Sequence, residues 1–262
     1  MENYFGINYE FDYDAVLARI DRRLADGGTG YICVSDGVIL NTVHRSAEYR
    51  RVVQDAMCCV CDSSYVPLYI KWIYKQERSQ LSGTELMRRI VESRRYRMAF
   101  IGGSQDLLDA LRPRLARLNP DVEGMHFEAL PFCHVNDFDY EGIAARLNAA
   151  NADVVFVSLG APKQEIFMNR LVPHLERGVA IATGAAFKFH AGIEEKRART
   201  GWCATTWSGP TAFSKTHGSK SRVASGFSAR RPASSFTSGT PCATTATPCS
   251  RATTNEPHSY SS

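Results

Sequence analysis

The chain has 262 residues and a formal charge of +4, from 31 Lys+Arg against 27 Asp+Glu. That length leaves room for one domain of about 200 residues and something further. The positive excess lies at the end: residues 200–262 hold six basic residues and one acid, Glu256, so the body is near neutral and its charge is no nucleic-acid footprint. With no secretory leader and no apolar run long enough to span a bilayer, the expectation is a protein that is not integral to a membrane, with peripheral attachment left open.

Residues 1–30 read as an N-terminal strand and helix: an edge segment with Tyr4, Phe5 and Ile7, then Val16, Leu17, Ile20 and Leu24 at helical spacing, ended by Gly27-Gly28. Tyr31 to Val34 is an apolar strand running into Ser35-Asp36-Gly37. A helix carrying Ile39, Leu40 and Val43 follows, then a charged one from Ser46 to Asp55. Met57 to Cys61 is a buried strand that ends at Asp62-Ser63-Ser64, before an apolar helix from Val66 to Tyr74. An aspartate at such a strand end is either an N-cap for that helix or a base facing a cleft, and spacing alone favours the cap. Cys58-x-x-Cys61 has zinc-knuckle spacing, but no second Cys/His pair follows at a usable distance. These thiols read as small buried residues in a reducing cytosol.

Leu81 to Met87 is a loop entering a helix that runs to about Ser93. Arg97 to Gly103 is a strand closing on two glycines, followed by a helix from Gln105 to Leu118. A Gly-Gly turn lets a nucleotide approach the backbone, although neither the full G-x-G-x-x-G pattern nor a P-loop is present. Ala129 to Asp139 reads as a strand and a loop, and Tyr140 to Ala150 as a helix. In Asp153–Glu165 the unalternating run Val154–Val157 suits a strand covered on both faces. Gly160 and Pro162 break it, and Lys163, Gln164 and Glu165 open a helix whose backbone N–H groups suit an anion. Val179 to Thr183 is a last strand, ending at Gly184. The alternation predicts an α/β fold with a doubly wound, largely parallel, Rossmann-like sheet. Its strand ends carry Asp36, Asp62, Gly102, Gly103, Gly160 and Gly184, a rim shaped for a nucleotide.

After Arg199 the character changes. Residues 200–262 contain 25 Ser+Thr, one valine (Val223) and no leucine or isoleucine. Such a segment buries too little apolar surface to offset its ordering entropy. The expected division is therefore an α/β domain over residues 1–199 and a disordered low-complexity tail over 200–262.

With these residues set out, residues 31–199 resemble the WecG/TagA/CpsF family of bacterial glycosyltransferases. LGAPKQE (Leu159–Glu165) and ATGAAFKFHAG (Ala182–Gly192) carry the resemblance, with IGG (Ile101–Gly103), SGTELM (Ser82–Met87), CDSSYVPL (Cys61–Leu68) and KRA (Lys196–Ala198) around them in the family's order. The resemblance implies an inverting, metal-independent enzyme that moves a hexose from a UDP-sugar to a polyprenyl-diphosphate-linked sugar in surface-polysaccharide or cell-wall polymer synthesis. It implies no cofactor beyond that donor, a cytoplasmic location at the inner face of the plasma membrane, and no nucleic-acid partner. Self-association stays open. It reverses the reading of Asp62, which falls on the family's catalytic base. It assigns substrate contacts to Asp36, Thr84, Gln164, Gly102, Gly103, Gly160, Ala161, Pro162 and Gly184. Two positions depart from the family: Asp36 stands for an asparagine, and Lys188 stands where an aspartate is common.

The family continues beyond Arg199 with a basic amphipathic segment that supplies arginines to the diphosphate and sits on the membrane. Back-translated with G/C-rich codons and read one base earlier, residues 199–214 can be written PDWMVRHHLEWTYRLL, which resembles that continuation. A frameshift near Ala198 is therefore expected, with weak or no transfer by the chain as written. The competing readings are a catalytically inactive nucleotide-sugar-binding protein, with Asp62 only a cap, and a nucleotide-dependent oxidoreductase or epimerase, which lacks its fingerprint here.

Overall fold

The computed structural model describes residues 1–194. The tail, the KRA block and the frameshift region lie outside the described residues. The chain opens on a hairpin of β1 (Glu2–Tyr4) and β2 (Ile7–Glu10), where a single edge segment was expected. Phe5 and Gly6 turn it at φ +57° and +76°, the left-handed pair that a two-residue hairpin loop requires. Next come α1 (Tyr13–Ala25), β3 (Thr29–Ser35), α2 (Gly37–Arg45), α3 (Ala47–Gln54), β4 (Cys58–Cys61), α4 (Val66–Tyr74) and α5 (Gly83–Ser93). The second half holds β5 (Met98–Gly102), α6 (Gln105–Ala116), β6 (His126–Glu128), α7 (Tyr140–Ala149), β7 (Val154–Ser158), α8 (Lys163–Leu171), β8 (Gly178–Ala182) and α9 (Ala186–His190).

The eight strands form one sheet in the order β1-β2-β4-β3-β8-β7-β5-β6, parallel throughout except for the β1–β2 hairpin. Both faces are covered, which is why the central strands are apolar without alternation. Alternate residues still divide between two cores. Cys33, Cys59, Ala99, Val155 and Ala180 pack under α2, α3, α7 and α8, while Ile32, Val60, Phe100, Phe156 and Ile181 pack under α1, α5, α6 and α9. Phe100 stacks on Phe127 and Phe156, with centroids 4.5 Å and 5.3 Å apart.

Two expectations are corrected, and the reading of Cys58 and Cys61 as small buried strand residues holds. The strand placed within Ala129–Asp139 is instead His126–Glu128, because an edge strand is only half-buried and reads as polar, whereas Pro131 leaves the ALPFC run without a ladder N–H. Asp62 does not cap α4, whose first turn has no side-chain cap; its carboxylate accepts from Gly83 N at 3.1 Å, at the start of α5. Cys58 and Cys61 belong to opposite cores, as positions three apart on a strand must, and burial pushes both thiols up to about 12.

Topology places the site. From β5 the chain passes through α6 outward to β6, while from β7 it passes through α8 inward to β8, so these neighbouring strands send their helices to opposite faces. Ligands of open α/β sheets bind in the crevice left at such a divergence.

Candidate active site

At that divergence lies a cleft of about 650 Å³, lined by Gly103 and Ser104 after β5, Ser158 at the end of β7 with Gly160 and Lys163 beyond it, and Gly184 and Lys188 around the start of α9. Gly102 takes φ +94°, and a Cβ there would lie 2.5 Å from the Ser158 carbonyl oxygen, so only glycine lets the two strand ends close. Gly160 takes φ +77° with open space beside it, and the Ala161–Pro162 bond is cis. Pro162 brings no capping side chain to α8, which leaves the helix N-terminus to whatever enters the cleft. Both cations are held: the Lys163 ammonium donates to the Cys133 carbonyl and lies 4.9 Å from the Phe138 ring, and Lys188 pairs with Glu194 at 2.9 Å. On the outer wall Phe132 is fully exposed.

The second half of the rim carries the carboxylates. Ser35 pairs with Cys61 in the β3–β4 ladder, so Asp36 and Asp62 follow side by side at adjacent strand ends. The Asp36 carboxylate is committed to the α2 N-terminus, accepting from Val38 N at 2.9 Å and Ile39 N at 3.0 Å. Asp62 meets the N-terminus of α5, its carboxylate accepting from Gly83 N at 3.1 Å. β4 lies three strands from β7, which at about 4.8 Å per strand puts Asp62 about 14 Å from the Gly160 turn. The cleft itself does not reach Asp62.

Between the halves is a buried polar network. Glu165, 0% exposed on the first turn of α8, accepts from Tyr49 Oη at 3.0 Å and from Gln164 Nε2 at 2.9 Å. Burial pushes its carboxyl up to about 7; the two donated hydrogen bonds oppose that rise, and the negative charge of Asp36 adds to it. Gln164 is 4% exposed, and its Oε1 finds no partner among the described residues.

Of the predicted site residues, the structure brings Gly103, Gly160 and Gly184 into the cleft, with Gly102 directly behind and Ala161 and Pro162 in the turn that delivers α8. Gln164 lies beneath Gly184, and Asp36 and Asp62 form the neighbouring pair. Thr84 is not with them: it lines a separate cavity with Arg88, Arg114 and His190 between α5, α6 and α9. Sequence reasoning missed Glu165, Tyr49 and Lys163. Glu165 follows Gln164 in a motif of known spacing, but only tertiary burial against Tyr49 of α3, 116 residues away, gives it its character.

The model of the Glycosyl transferase WecG/TagA/CpsF family matches residues 3–202, reaching further toward the N-terminus than the motifs do. An N-acetylglucosaminyldiphosphoundecaprenol N-acetyl-beta-D-mannosaminyltransferase of Bacillus spizizenii (strain ATCC 23059 / NRRL B-14472 / W23) is 24% identical over 151 residues. That alignment takes in 56% of this chain and 57% of the relative, so the chain spans a little over half the length of the curated relative it matches. With the family model covering most of the sequence and the wound sheet beneath it, the chain belongs to the WecG/TagA/CpsF family of glycosyltransferases.

Proposed function

We propose that this protein transfers a hexose, of the N-acetylmannosamine type, from UDP to a polyprenyl-diphosphate-linked sugar in surface-polysaccharide or cell-wall polymer synthesis. The observation that carries the reading is the divided rim. A cleft with two ammonium groups and an uncapped helix N-terminus suits a diphosphate, and a pair of carboxylates stands further along. A ligand that engages both halves must be elongated, as a nucleotide-diphosphate-sugar is. While Asp36 caps α2, the family resemblance puts the base at Asp62, whose carboxylate accepts from Gly83 N. Its carboxylate takes the acceptor's hydroxyl proton as that oxygen bonds to the anomeric carbon. The bond from that carbon to UDP breaks in the same step, which inverts the configuration. The diphosphate leaves with its negative charge, met by backbone N–H groups, Lys163 and Lys188 rather than by a metal.

The acceptor's lipid brings the reaction to a membrane surface, and α4 supports such a docking. Among the described residues no helix is long and apolar enough to cross a membrane. Yet α4, four residues beyond Asp62, buries only Val66 and Ile70 and exposes Leu68 (53%), Tyr69 (47%), Trp72 (74%) and Ile73 (52%) beside Lys71 and Lys75. Aromatic rings with flanking cations are the chemistry of a helix lying in an anionic bilayer interface. The family's arginine-bearing continuation is replaced beyond Arg199 by the Ser/Thr-rich tail. Loss of that charge stabilisation corresponds to about 10²- to 10³-fold in rate for the chain as written.

The test is release of UDP from a panel of UDP-sugars with a polyprenyl-diphosphate-GlcNAc acceptor, using this chain and a frame-restored one. Acceptor-dependent release, lost in Asp62→Asn, supports the reading. UDP binding without turnover, unchanged in Asp62→Asn even in the frame-restored chain, supports the alternative of an inactive nucleotide-sugar-binding protein. The separation of Asp62 from the cleft is what keeps that alternative in play.

A further inference from the structure

Much of the cleft wall is apolar. Leu107, Leu130, Pro131 and Leu159 line it, with Phe132 on the outer side. Phe132 is 106% exposed, whereas the other exposed aromatic rings among the described residues belong to α4 and to Tyr65 just before it. A single apolar side chain in solvent needs no explanation by itself. This one is set apart by its place in the cleft and by how its backbone is held.

The Cys133 N–H donates to the Pro131 carbonyl at 3.1 Å, a three-residue turn with Phe132 at its apex. The Lys163 ammonium donates to the Cys133 carbonyl and stands over the Phe132 ring, 5.5 Å from its centroid. Further along the loop, Asp137 N donates to the His134 carbonyl at 3.0 Å. The Tyr140 hydroxyl donates to the Val135 carbonyl, and the Arg170 guanidinium to Asn136 Oδ1. The loop is thus fastened to α7 and α8 while its ring is left to solvent. A ring presented in this way needs little further ordering when a flat ligand covers it.

Strand order gives the ligand a direction. Asp62 follows β4, on one side of the Gly160 turn after β7, while the Phe132 loop follows β6, beyond β5 on the other side. Lys163 is the first residue of α8, so a phosphate at that helix N-terminus lies next to the ammonium that stands over the ring. We propose that Phe132 is the platform on which the nucleobase of the donor stacks. It fixes the nucleoside end at the β6 side of the cleft and directs the hexose toward Asp62. The inference rests on the nucleotide-sugar reading and adds to it the orientation of the donor and the residue that holds its base. An aromatic ring stacks on any base, so Phe132 contributes affinity and orientation and does not by itself select uracil.

The test is calorimetric titration of the full chain with UDP, with UDP-N-acetylglucosamine and with inorganic pyrophosphate, which has the diphosphate and no base. Phe132→Ala is expected to bind both nucleotides about 10-fold more weakly and to bind pyrophosphate as wild type does. Phe132→Leu, apolar but not planar, is expected to resemble Phe132→Ala, and Phe132→Trp to bind UDP at least as tightly as wild type. Because the ring is exposed, melting temperatures are expected to stay at the wild-type value. The indole introduced by Phe132→Trp should lose fluorescence with UDP and not with pyrophosphate. It is read against the wild-type chain, since Trp72, Trp202 and Trp207 are present in both. This fluorescence decides the matter if pyrophosphate binds too weakly to titrate. Wild-type affinity for UDP in Phe132→Ala overturns the proposal and leaves the nucleotide-sugar reading standing. Wild-type affinity in Phe132→Leu reduces the ring to a generic apolar contact, and a loss seen with the UDP-sugar but not with UDP puts the hexose on the ring. Either result overturns the nucleobase platform, as does a loss shared by pyrophosphate, since the ring would then act through Lys163. A wild-type chain that binds neither nucleotide overturns the nucleotide-sugar reading and this inference together.

Discussion

Glu165 shows how far a single side chain departs from its sequence context. Its carboxyl is raised from the usual carboxylate range to about 7, chiefly by burial. Between pH 4.5 and 7 the folded chain therefore holds a proton that the unfolded chain releases. The stabilisation is fully present below that window and is lost as pH rises through it. A shift of this size corresponds to about 3 kcal/mol. Denaturant titrations at pH 5 and pH 8 should show wild type losing stability by that order relative to Glu165→Gln; parallel behaviour of the two proteins would exclude a raised carboxyl. Gly102 makes the opposite point, since its role follows from φ and from the Ser158 carbonyl 2.5 Å from where a Cβ would stand. Gly102→Ala should cost about 2–3 kcal/mol, from strain plus a backbone contact that no rotamer can relieve. Thermal melting measures it, and a neutral result would mean that the β5 and β7 ends can separate.

Among the elements, α2 and α8 carry the two halves of the rim. Asp36 makes both of its α2 capping bonds through one carboxylate oxygen, so Asp36→Ala should destabilise the fold by about 1 kcal/mol, while Asp36→Asn, a good cap, should not. If the alanine variant melts like wild type, the aspartate is held there by something other than helix capping. In α8, Phe167 is fully buried and meets Phe138 edge-on at 4.9 Å and Tyr140 at 5.4 Å. Phe167→Ala should cost about 3–5 kcal/mol. Because α8 delivers Lys163, Gln164 and Glu165, any such variant that remains folded should also bind UDP more weakly, as fluorescence or calorimetric titration would show. The elements were legible where residues pattern by burial: α5 and β7 fall as expected because Leu86, Ile90 and Val154–Val157 have no polar competitor. β6 was not legible, because an edge strand such as His126-Phe127-Glu128 carries little apolar signal.

For the whole molecule, the rim divides into a glycine-lined cleft between β5 and β8, where we propose the nucleotide binds, and a carboxylate half at β3 and β4. The halves should be separable in solution. UDP at 100 times its dissociation constant stabilises the folded chain by about 2.7 kcal/mol, a rise in melting temperature of roughly 5–10 °C. Asp62→Asn should keep that shift, and Lys163→Met should reduce it. Loss of the shift in Asp62→Asn would mean that the two halves form one continuous pocket around the nucleotide.

By itself the sequence determined the class of fold, the apolar central strands and most of the helices, and the glycines and aspartates at the strand ends, because burial pattern and turn chemistry are local and leave their mark residue by residue. Only the tertiary structure decided which of those ends share a cleft. It set Thr84 in a different cavity, bound Asp36 to a helix end and Asp62 to Gly83, and buried Glu165 against Tyr49. Those outcomes depend on strand order and on which face each helix covers, and spacing along the chain does not encode them.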